Sequence, residues 1–126
     1  MKLQPDRMEV QVVTGYGPGW LAINGERLTH SVLITSAGLR QALPARQAAD
    51  LNSADFSALA ELPVELVIYG CGDRIQFPPS AWLAPLMARR MGLETMDTPA
   101  ACRTYNILAG EGRPVAALLL VRADQG

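Results

Sequence analysis

Residues 93–120, LETMDTPAACRTYNILAGEGRPVAALLL, predict a strand, a helix and a second strand in immediate succession. The short apolar segment 93–96 is typical of a strand. Thr98 is a good helix cap and Pro99 is tolerated in the first helical turn, so they predict a helix that begins here and runs to about residue 109. Gly110 is placed to end this helix, and the apolar run 115–121 predicts the final strand.

The same alternation begins further upstream. Residues 64–70, VELVIYG, form a nearly unbroken apolar run, as expected for a strand covered on both faces. Residues 78–92 carry apolar residues at helical spacing, and residues 52–62 predict another helix with Ser53 as its cap. A right-handed crossover should make 64–69 and 93–96 parallel neighbours or near-neighbours. The C-terminal half is therefore β-α-β-α-β, with the direction of the last strand left open.

The N-terminal half is predicted to be rich in β structure. Two apolar runs flank Asn24-Gly25, which predicts a type I′ hairpin because both residues tolerate positive φ. Met8–Val13 is predicted to be a further strand that leads into the turn-rich segment 15–19, GYGPG. Together the two halves predict one α/β domain over residues 1–126, without repeats or a linker.

Composition excludes several classes of protein. A hydrophobic share of 49% with 18% charged residues is that of a globular protein, and a net charge of −1 argues against a nucleic-acid surface. No stretch approaches the roughly 20 apolar residues that span a bilayer, so we expect no membrane insertion. His30 is the only histidine, so a metal site is hard to build, and we expect neither a metal nor a cofactor.

Two features of the sequence bear on location. The N-terminal MKLQPDRMEV has no apolar segment and carries acids early, so we expect neither a secretory signal nor a transit peptide. Two cysteines are too few for a disulfide scaffold and fit a reducing compartment. The expected location is cytoplasmic.

A ligand site would lie beyond the carboxyl ends of the parallel strands, where the loop GCGDR (70–74) and the helix start DTPAACR (97–103) should meet. We expect Cys71 and Cys102 at this edge, within about one side chain of each other. The candidate pocket residues are Gly70, Cys71, Gly72, Asp73, Thr98, Cys102, Arg103, Tyr105 and Asn106.

Each of these residues has a structural alternative. Gly70 and Gly72 fit a phosphate loop poorly, because no Lys-Ser/Thr pair follows, and they fit a sharp turn under a packed helix better. The helix dipole would lower the pKa of Cys102, yet free cysteines are commonly buried as small apolar residues. Arg103 would clamp an anion or, as we favour, pair with Asp97 or Asp73. No complete set of base, nucleophile or metal ligands is visible, which favours a non-enzymatic protein.

The chain also carries a family resemblance. The GCGD turn after a buried strand and the segment 93–120 are similar to the small domain family that includes mitochondrial complex I assembly factor 3 and uncharacterised prokaryotic proteins. The most specific matching residues are Met96, Thr98, Ala101, Cys102, Thr104, Tyr105, Asn106 and Arg113. The resemblance implies a three-layer α/β fold with a mixed central sheet. It also implies a non-enzymatic factor with a protein partner, and it carries over no catalytic residue.

Three hypotheses follow from these observations. The first is an interaction or assembly protein with a protein partner. The second is a small-molecule or anion-binding protein, with or without thiol chemistry, that uses the edge between GCGD and the last helix. The third assigns Cys102, Tyr105 and Asn106 a purely architectural role. The pattern favours the first hypothesis and implies no particular oligomeric state.

Overall fold

The computed structural model describes residues 9–122, which form one α/β domain. The predicted alternation of strands and helices after residue 64 is confirmed. The strands are β1 Val13–Gly17, β2 Trp20–Ile23, β3 Glu26–Leu28, β4 Ser31–Thr35, β5 Arg40–Leu43, β6 Leu66–Gly70, β7 Gly92–Met96 and β8 Val115–Leu119. The helices are α1 Ser53–Leu59, α2 Ala84–Ala88 and α3 Thr98–Gly110, with short 3-10 turns at Ala48–Asp50 and Ser80–Leu83.

The central sheet has five strands in the order β5-β4-β8-β6-β7. β6 is parallel to both β7 and β8, whereas β4 is antiparallel to both β8 and β5. The predicted parallel pairing of β6 with β7 is therefore confirmed, and the final strand runs in the same direction as its neighbour β6. The sheet is mixed because a helical crossover returns the chain in the same direction, while short turns reverse it.

The domain has three layers with this sheet in the middle, as the family resemblance implies. On one face, Ile68 and Ala117 pack with α3 and with the three-stranded antiparallel sheet β1-β2-β3. On the other face, Val67 and Leu118 pack with α1 and α2. Successive residues of β6 and β8 thus point into different clusters, which explains why these strands are apolar without alternation.

The small sheet contains the predicted hairpin. Asn24 and Gly25 have φ values of 49° and 86°, as a type I′ turn between β2 and β3 requires. The predicted strand Met8–Val13 is wrong for residues 9–12, which are not in a strand, whereas Val13 is the first residue of β1. Met8 lies outside the described residues. The segment 15–19 is also more than a turn, since Gly15 belongs to β1 and lies under the ring of Trp20.

Two helix caps differ from the prediction. Asn52, not Ser53, caps α1, because its side chain accepts hydrogen bonds from two backbone N–H groups. The Asp55 carboxylate in turn accepts a hydrogen bond from the Asn52 N–H. Asp97, not Thr98, caps α3, and Thr98 is the first helical residue. The helix predicted over 78–92 is divided into a 3-10 turn and the short α2, and Gly92 begins β7 instead of ending the helix.

Candidate functional site

The carboxyl ends of β6 and β7 form a hydrogen-bonded junction with the start of α3. The Cys71 N–H donates to the Met96 oxygen at 2.9 Å, and the Thr98 N–H donates to the Gly72 oxygen at 2.9 Å. The Thr98 hydroxyl accepts from the Gly72 N–H at 2.9 Å and donates to the Leu120 oxygen at 2.8 Å. One buried hydroxyl thus joins the chain after β6, β7 and β8 at this edge.

The N-terminus of α3 has no free donor to offer an anion. Asp97 Oδ1 accepts from the Ala100 N–H at 2.8 Å, and the Asp97 oxygen accepts from the Ala101 N–H. The Thr98 N–H is held by Gly72, and Pro99 has none. Asp97 also places a carboxylate where a bound anion would lie. An anion at this terminus would therefore have to displace the cap.

Glycine is required at positions 70 and 72 of the junction for two different reasons. A Cβ on Gly70 would lie 2.9 Å from the Ala101 Cβ and 3.0 Å from the Thr98 Cα, so only glycine lets α3 approach β6 this closely. Gly72 has φ +100°, which side chains rarely adopt. The structure gives both glycines a packing or turn role, and Asp73 follows them as an exposed loop residue.

The Cys71 thiol organises the loop after β6. Its sulfur accepts a hydrogen bond from the Gln76 N–H at 3.1 Å and donates toward the oxygens of Met96 at 3.1 Å and Arg74 at 3.2 Å. Only 4% of Cys71 is exposed, and this burial raises the pKa of its thiol. The charge of Asp97 raises the pKa further, although the Gln76 hydrogen bond lowers it. The group is held as a protonated thiol.

Cys102 lies away from Cys71, in the other hydrophobic cluster. It is 0% exposed on the buried side of α3, among residues of the small sheet and β8. Burial raises the pKa of its thiol to about 12, and the nearby Arg103 lowers it by less. The structure therefore supports the alternative in which Cys102 is a small buried apolar residue, and the helix dipole does not make its thiol more acidic. The two thiols are separated because Cys71 continues the β6 face that packs against α1 and α2.

His30 does not act as a base for this buried thiol. It is exposed between β3 and β4, and its Nδ1 lies 3.0 Å from the Ser31 oxygen. Among residues 9–122, no group of three or more His, Cys, Asp or Glu side chains is arranged to hold a metal ion. The cysteine–histidine arrangement that would be needed for nucleophilic catalysis is not assembled around Cys102.

The remaining predicted site residues face the N-terminal strand instead of the junction. The Tyr105 hydroxyl donates to the Gln11 oxygen at 2.6 Å. Asn106 Oδ1 accepts from the Val13 N–H at 2.9 Å, and Asn106 Nδ2 donates to the Val13 oxygen at 2.7 Å. These side chains attach β1 and the residues before it to α3.

Arg103 has a different partner from the one we favoured. Its Nη1 donates to the Tyr16 hydroxyl at 2.9 Å, and it forms no ion pair with Asp97 or Asp73. The reason is position: Arg103 lies on the exposed side of α3 beside β1, away from the loop that carries Asp73.

The nine predicted residues thus form two groups. The junction brings together Gly70, Cys71, Gly72 and Thr98, with Asp73 exposed beside them. The second group, on α3, contacts the N-terminal strands or, for Cys102, fills the core. In the described part of the chain, no buried side-chain nitrogen or oxygen lacks a hydrogen-bond partner. A ligand pocket at the junction stays a prediction. The polar groups there already form hydrogen bonds within the chain.

Sequence reasoning missed the partners of α3 and a cleft elsewhere. Gln11, Val13 and Tyr16 carry no local motif that would connect them to residues about 90 positions away. A cleft of about 330 Å³ lies away from the junction. Its lining residues are Arg46, Gln47, Asp50 and Arg122. The Asp50 carboxylate there accepts hydrogen bonds from two backbone N–H groups, so it caps the adjacent 3-10 turn.

Comparison with known proteins identifies the family. A family model described as a protein of unknown function (DUF498/DUF598) matches residues 13–120, from the first residue of β1 to just beyond β8. The chain belongs to this family. The matched range includes both the junction and every α3 side chain discussed above.

Two relatives illustrate the range of the DUF498 family. Human NADH dehydrogenase (ubiquinone) 1 alpha subcomplex assembly factor 3 is 32% identical over an alignment of 127 positions that covers 94% of this chain. This chain spans 65% of the length of that human protein. A Rhodobacter capsulatus protein described as uncharacterized is 37% identical over 108 residues, covering 86% of this chain and 82% of that protein. The family thus includes proteins named as assembly factors for NADH dehydrogenase.

Solved structures of similar proteins have the same fold. A crystal structure of a Bordetella parapertussis protein has a TM-score of 0.84 and 34% identity, covering 90% of this chain and 98% of that chain. A solution NMR structure from Bordetella pertussis, described as a Mth938-like domain, has a TM-score of 0.80 and 32% identity, covering 98% of this chain and 94% of that chain. The predicted fold class is confirmed.

Proposed function

We propose that this chain is a non-enzymatic protein that binds a protein partner and assists the assembly of a respiratory complex. The observation that carries the proposal is the 32% identity, over 94% of this chain, to an assembly factor for NADH dehydrogenase. A factor that assists assembly by binding needs a stable scaffold and a surface for recognition, and it needs no reacting group.

The geometry of α3 and of the loop after β6 supports this proposal. The Cys71 and Cys102 thiols are buried and held protonated, and the polar side chains of Tyr105 and Asn106 are engaged with backbone groups of the same chain. A site for nucleophilic catalysis requires an accessible nucleophile within hydrogen-bond reach of a base. Tyr105 and Asn106 instead stabilise the fold, which leaves the outer surface for recognition.

The surface itself exposes large apolar side chains. Phe77 is 76% exposed and Ile75 is 52% exposed, in a loop that Cys71 holds in place. Met87 and Ile107 are also mostly exposed. Apolar side chains on an ordered loop favour protein docking, because little conformational entropy is lost when a partner covers them.

We also propose a cytoplasmic location. The support is chemical: Cys71 and Cys102 are free thiols, as proteins of a reducing compartment usually have. As a separate finding, no helix within residues 9–122 is long and apolar enough to cross a membrane. Fractionation of source cells, with the protein detected by antibody, would check the location. Recovery outside the cytoplasm would contradict it.

Deletion of the gene in the source organism tests the proposed function. We expect less assembled NADH dehydrogenase on a native gel, and we expect full recovery when the wild-type chain is supplied from a plasmid. An empty plasmid is the control for growth conditions. A deletion strain with the normal amount of assembled enzyme would contradict an assembly role in this complex.

A further inference from the structure

The outer side of α3 forms a continuous exposed surface with β1. Pro99, Arg103, Ile107 and Gly110 are all exposed, and their spacing along the helix places them in one row. Tyr16, which is 38% exposed, extends this row because its hydroxyl accepts the hydrogen bond from Arg103. We refer to these five residues as the α3 stripe.

An exposed β-branched residue stands in the middle of the stripe. Ile107 is 62% exposed, although the next residue toward the core, Leu108, is partly buried against the first hydrophobic cluster. Isoleucine is a weaker helix former than the charged residues usually found at exposed positions. Because most of the Ile107 side chain is exposed, its burial contributes little to the stability of the fold.

Arg103 gives the stripe a charge without an internal counter-charge. The ion pairs among residues 9–122 are Arg40 with Glu26 and Arg113 with Glu65, so Arg103 has no carboxylate partner there. Asp97 interacts with the Arg103 charge only electrostatically, without forming an ion pair. Tyrosine and arginine are enriched at the energetic centres of protein interfaces, and arginine binds carboxylates in a bidentate manner.

From this geometry we infer that the α3 stripe is the docking surface for a partner protein segment that presents a carboxylate beside an apolar side chain. The carboxylate pairs with Arg103 while the apolar group covers Ile107. The inference rests on the proposed function and names the chemistry of the partner. A second copy of this chain fits poorly, because the stripe contains no acidic residue and self-pairing would bring two Arg103 side chains together.

The stripe is rigid before any partner arrives. Directly behind Arg103 and Ile107, Tyr105 and Asn106 are bonded to the segment before β1 and to β1 itself. Hydrogen bonds from Arg103, Tyr105 and Asn106 therefore hold β1, and with it Tyr16, against α3. A prearranged surface loses less entropy on binding, so a short segment is sufficient for recognition.

Peptide titration tests the chemistry of this surface. The probes are a 14-residue amphipathic peptide of Glu, Ala and Leu and a matched peptide in which every Glu is replaced with Lys. Each is added to the full 15N-labelled chain, and amide shifts are followed. We expect the Glu peptide to shift the amides of Tyr16, Arg103 and Ile107 and to bind at least tenfold more tightly than the Lys peptide.

A charge reversal supplies the decisive comparison. Arg103→Glu should reverse the preference between the two peptides, whereas Arg90→Glu, at another exposed arginine, should leave it unchanged. Arg103→Gln serves as a second variant and should remove the preference. Equal binding of both peptides, no binding, or shifts centred on Ile75 and Phe77 would overturn the inference.

A test in cells separates this inference from the proposed function. In the deletion strain, the Arg103→Glu/Ile107→Glu variant should restore less than half of the assembled NADH dehydrogenase that the wild-type chain restores. Full restoration by this variant would overturn the docking surface and leave the assembly role intact. A deletion without effect would overturn the assembly role, while the peptide titration would still decide the chemistry of the stripe.

Discussion

The side-chain amide of Asn106 pairs with both backbone groups of Val13, at 2.9 Å from the Val13 nitrogen and 2.7 Å from the Val13 oxygen. Val13 begins β1, which lies at one edge of the small sheet. Asn106 therefore takes the place of a neighbouring strand, and α3 closes an edge that would otherwise expose unpaired backbone groups. Two polar side chains of α3, Tyr105 and Asn106, thus stabilise the fold.

Removal of the Tyr105 hydroxyl should weaken the attachment of the N-terminal segment. Tyr105→Phe leaves the buried ring in place but deletes the hydrogen bond to the Gln11 oxygen. We expect the free energy of unfolding to fall by about 1–2 kcal/mol, because a mostly buried carbonyl loses its partner. Urea denaturation measures the change. Tyr16→Phe is a matched control at a more exposed hydroxyl and should cost less than about 0.5 kcal/mol. Equal losses in both variants would contradict the role of Tyr105.

Gly70→Ala should disturb the packing of α3 against β6. The added Cβ would lie 2.9 Å from the Ala101 Cβ and 3.0 Å from the Thr98 backbone, so the helix must shift. We expect a loss of about 1–3 kcal/mol in the free energy of unfolding. The control is Gly110→Ala, where nothing lies within 4 Å of the new Cβ and alanine favours the helix. A stable Gly70→Ala variant would mean that the junction is looser than described.

Neither thiol should react in the native protein. Cys71 is 4% and Cys102 is 0% exposed, and burial raises the pKa of both groups. With a chromogenic disulfide reagent at pH 8, we expect no labelling on the timescale of minutes. Both cysteines should react at once in guanidinium chloride. Rapid native labelling of either cysteine would contradict the structural assignment and would revive the thiol-based hypothesis.

Alkaline pH should destabilise the protein through the Cys102 thiol. Its pKa rises from 9.0 to about 12 on folding because of burial, so between these values the unfolded chain releases a proton that the folded chain keeps. The stabilising contribution is complete below pH 9 and is lost as the pH rises toward 12, by at most about 1.4 kcal/mol per pH unit. Burial also raises the pKa of Tyr69 to about 12, which adds to the loss.

Urea denaturation between pH 7 and 10.5 measures this dependence. Cys102→Ala should have a lower stability at pH 7, because the buried side chain is smaller, and a shallower decline above pH 9. Cys71→Ala removes the other buried thiol, in the hydrophobic cluster beside α1 and α2, and serves as the matched comparison. An identical alkaline slope in the wild-type chain and in Cys102→Ala would show that Cys102 stays neutral in both states or is accessible in both.

The sequence was sufficient for local elements and for parallel neighbours. Asn24-Gly25 specified its turn because few residues adopt positive φ, and the crossover rule placed β7 beside β6. The position of β8 between β4 and β6 was not predictable, since an apolar run reports burial on both faces but not the identity of the neighbouring strands.

The site was predictable as a place but not as a set of contacts. The meeting of the loop after β6 with the start of α3 followed from topology, and the structure joins them through Thr98. The partners of Tyr105 and Asn106 lie more than 90 residues away and have no local signal. The choice of Asp97 over Thr98 as the cap depended on Gly72 and Leu120, which occupy the Thr98 hydroxyl.

Tyr105 and Asn106 of α3 stabilise the fold, and the Asn106→Ala variant tests this role most directly. The variant leaves the backbone N–H and C=O of the buried Val13 without hydrogen-bond partners. We therefore expect the free energy of unfolding, measured by urea denaturation, to fall by about 2–4 kcal/mol. Ile107→Ala, at the exposed neighbouring position, should change it by less than about 0.5 kcal/mol. An Asn106→Ala variant as stable as the wild-type chain would contradict the stabilising role of the Asn106–Val13 hydrogen bonds.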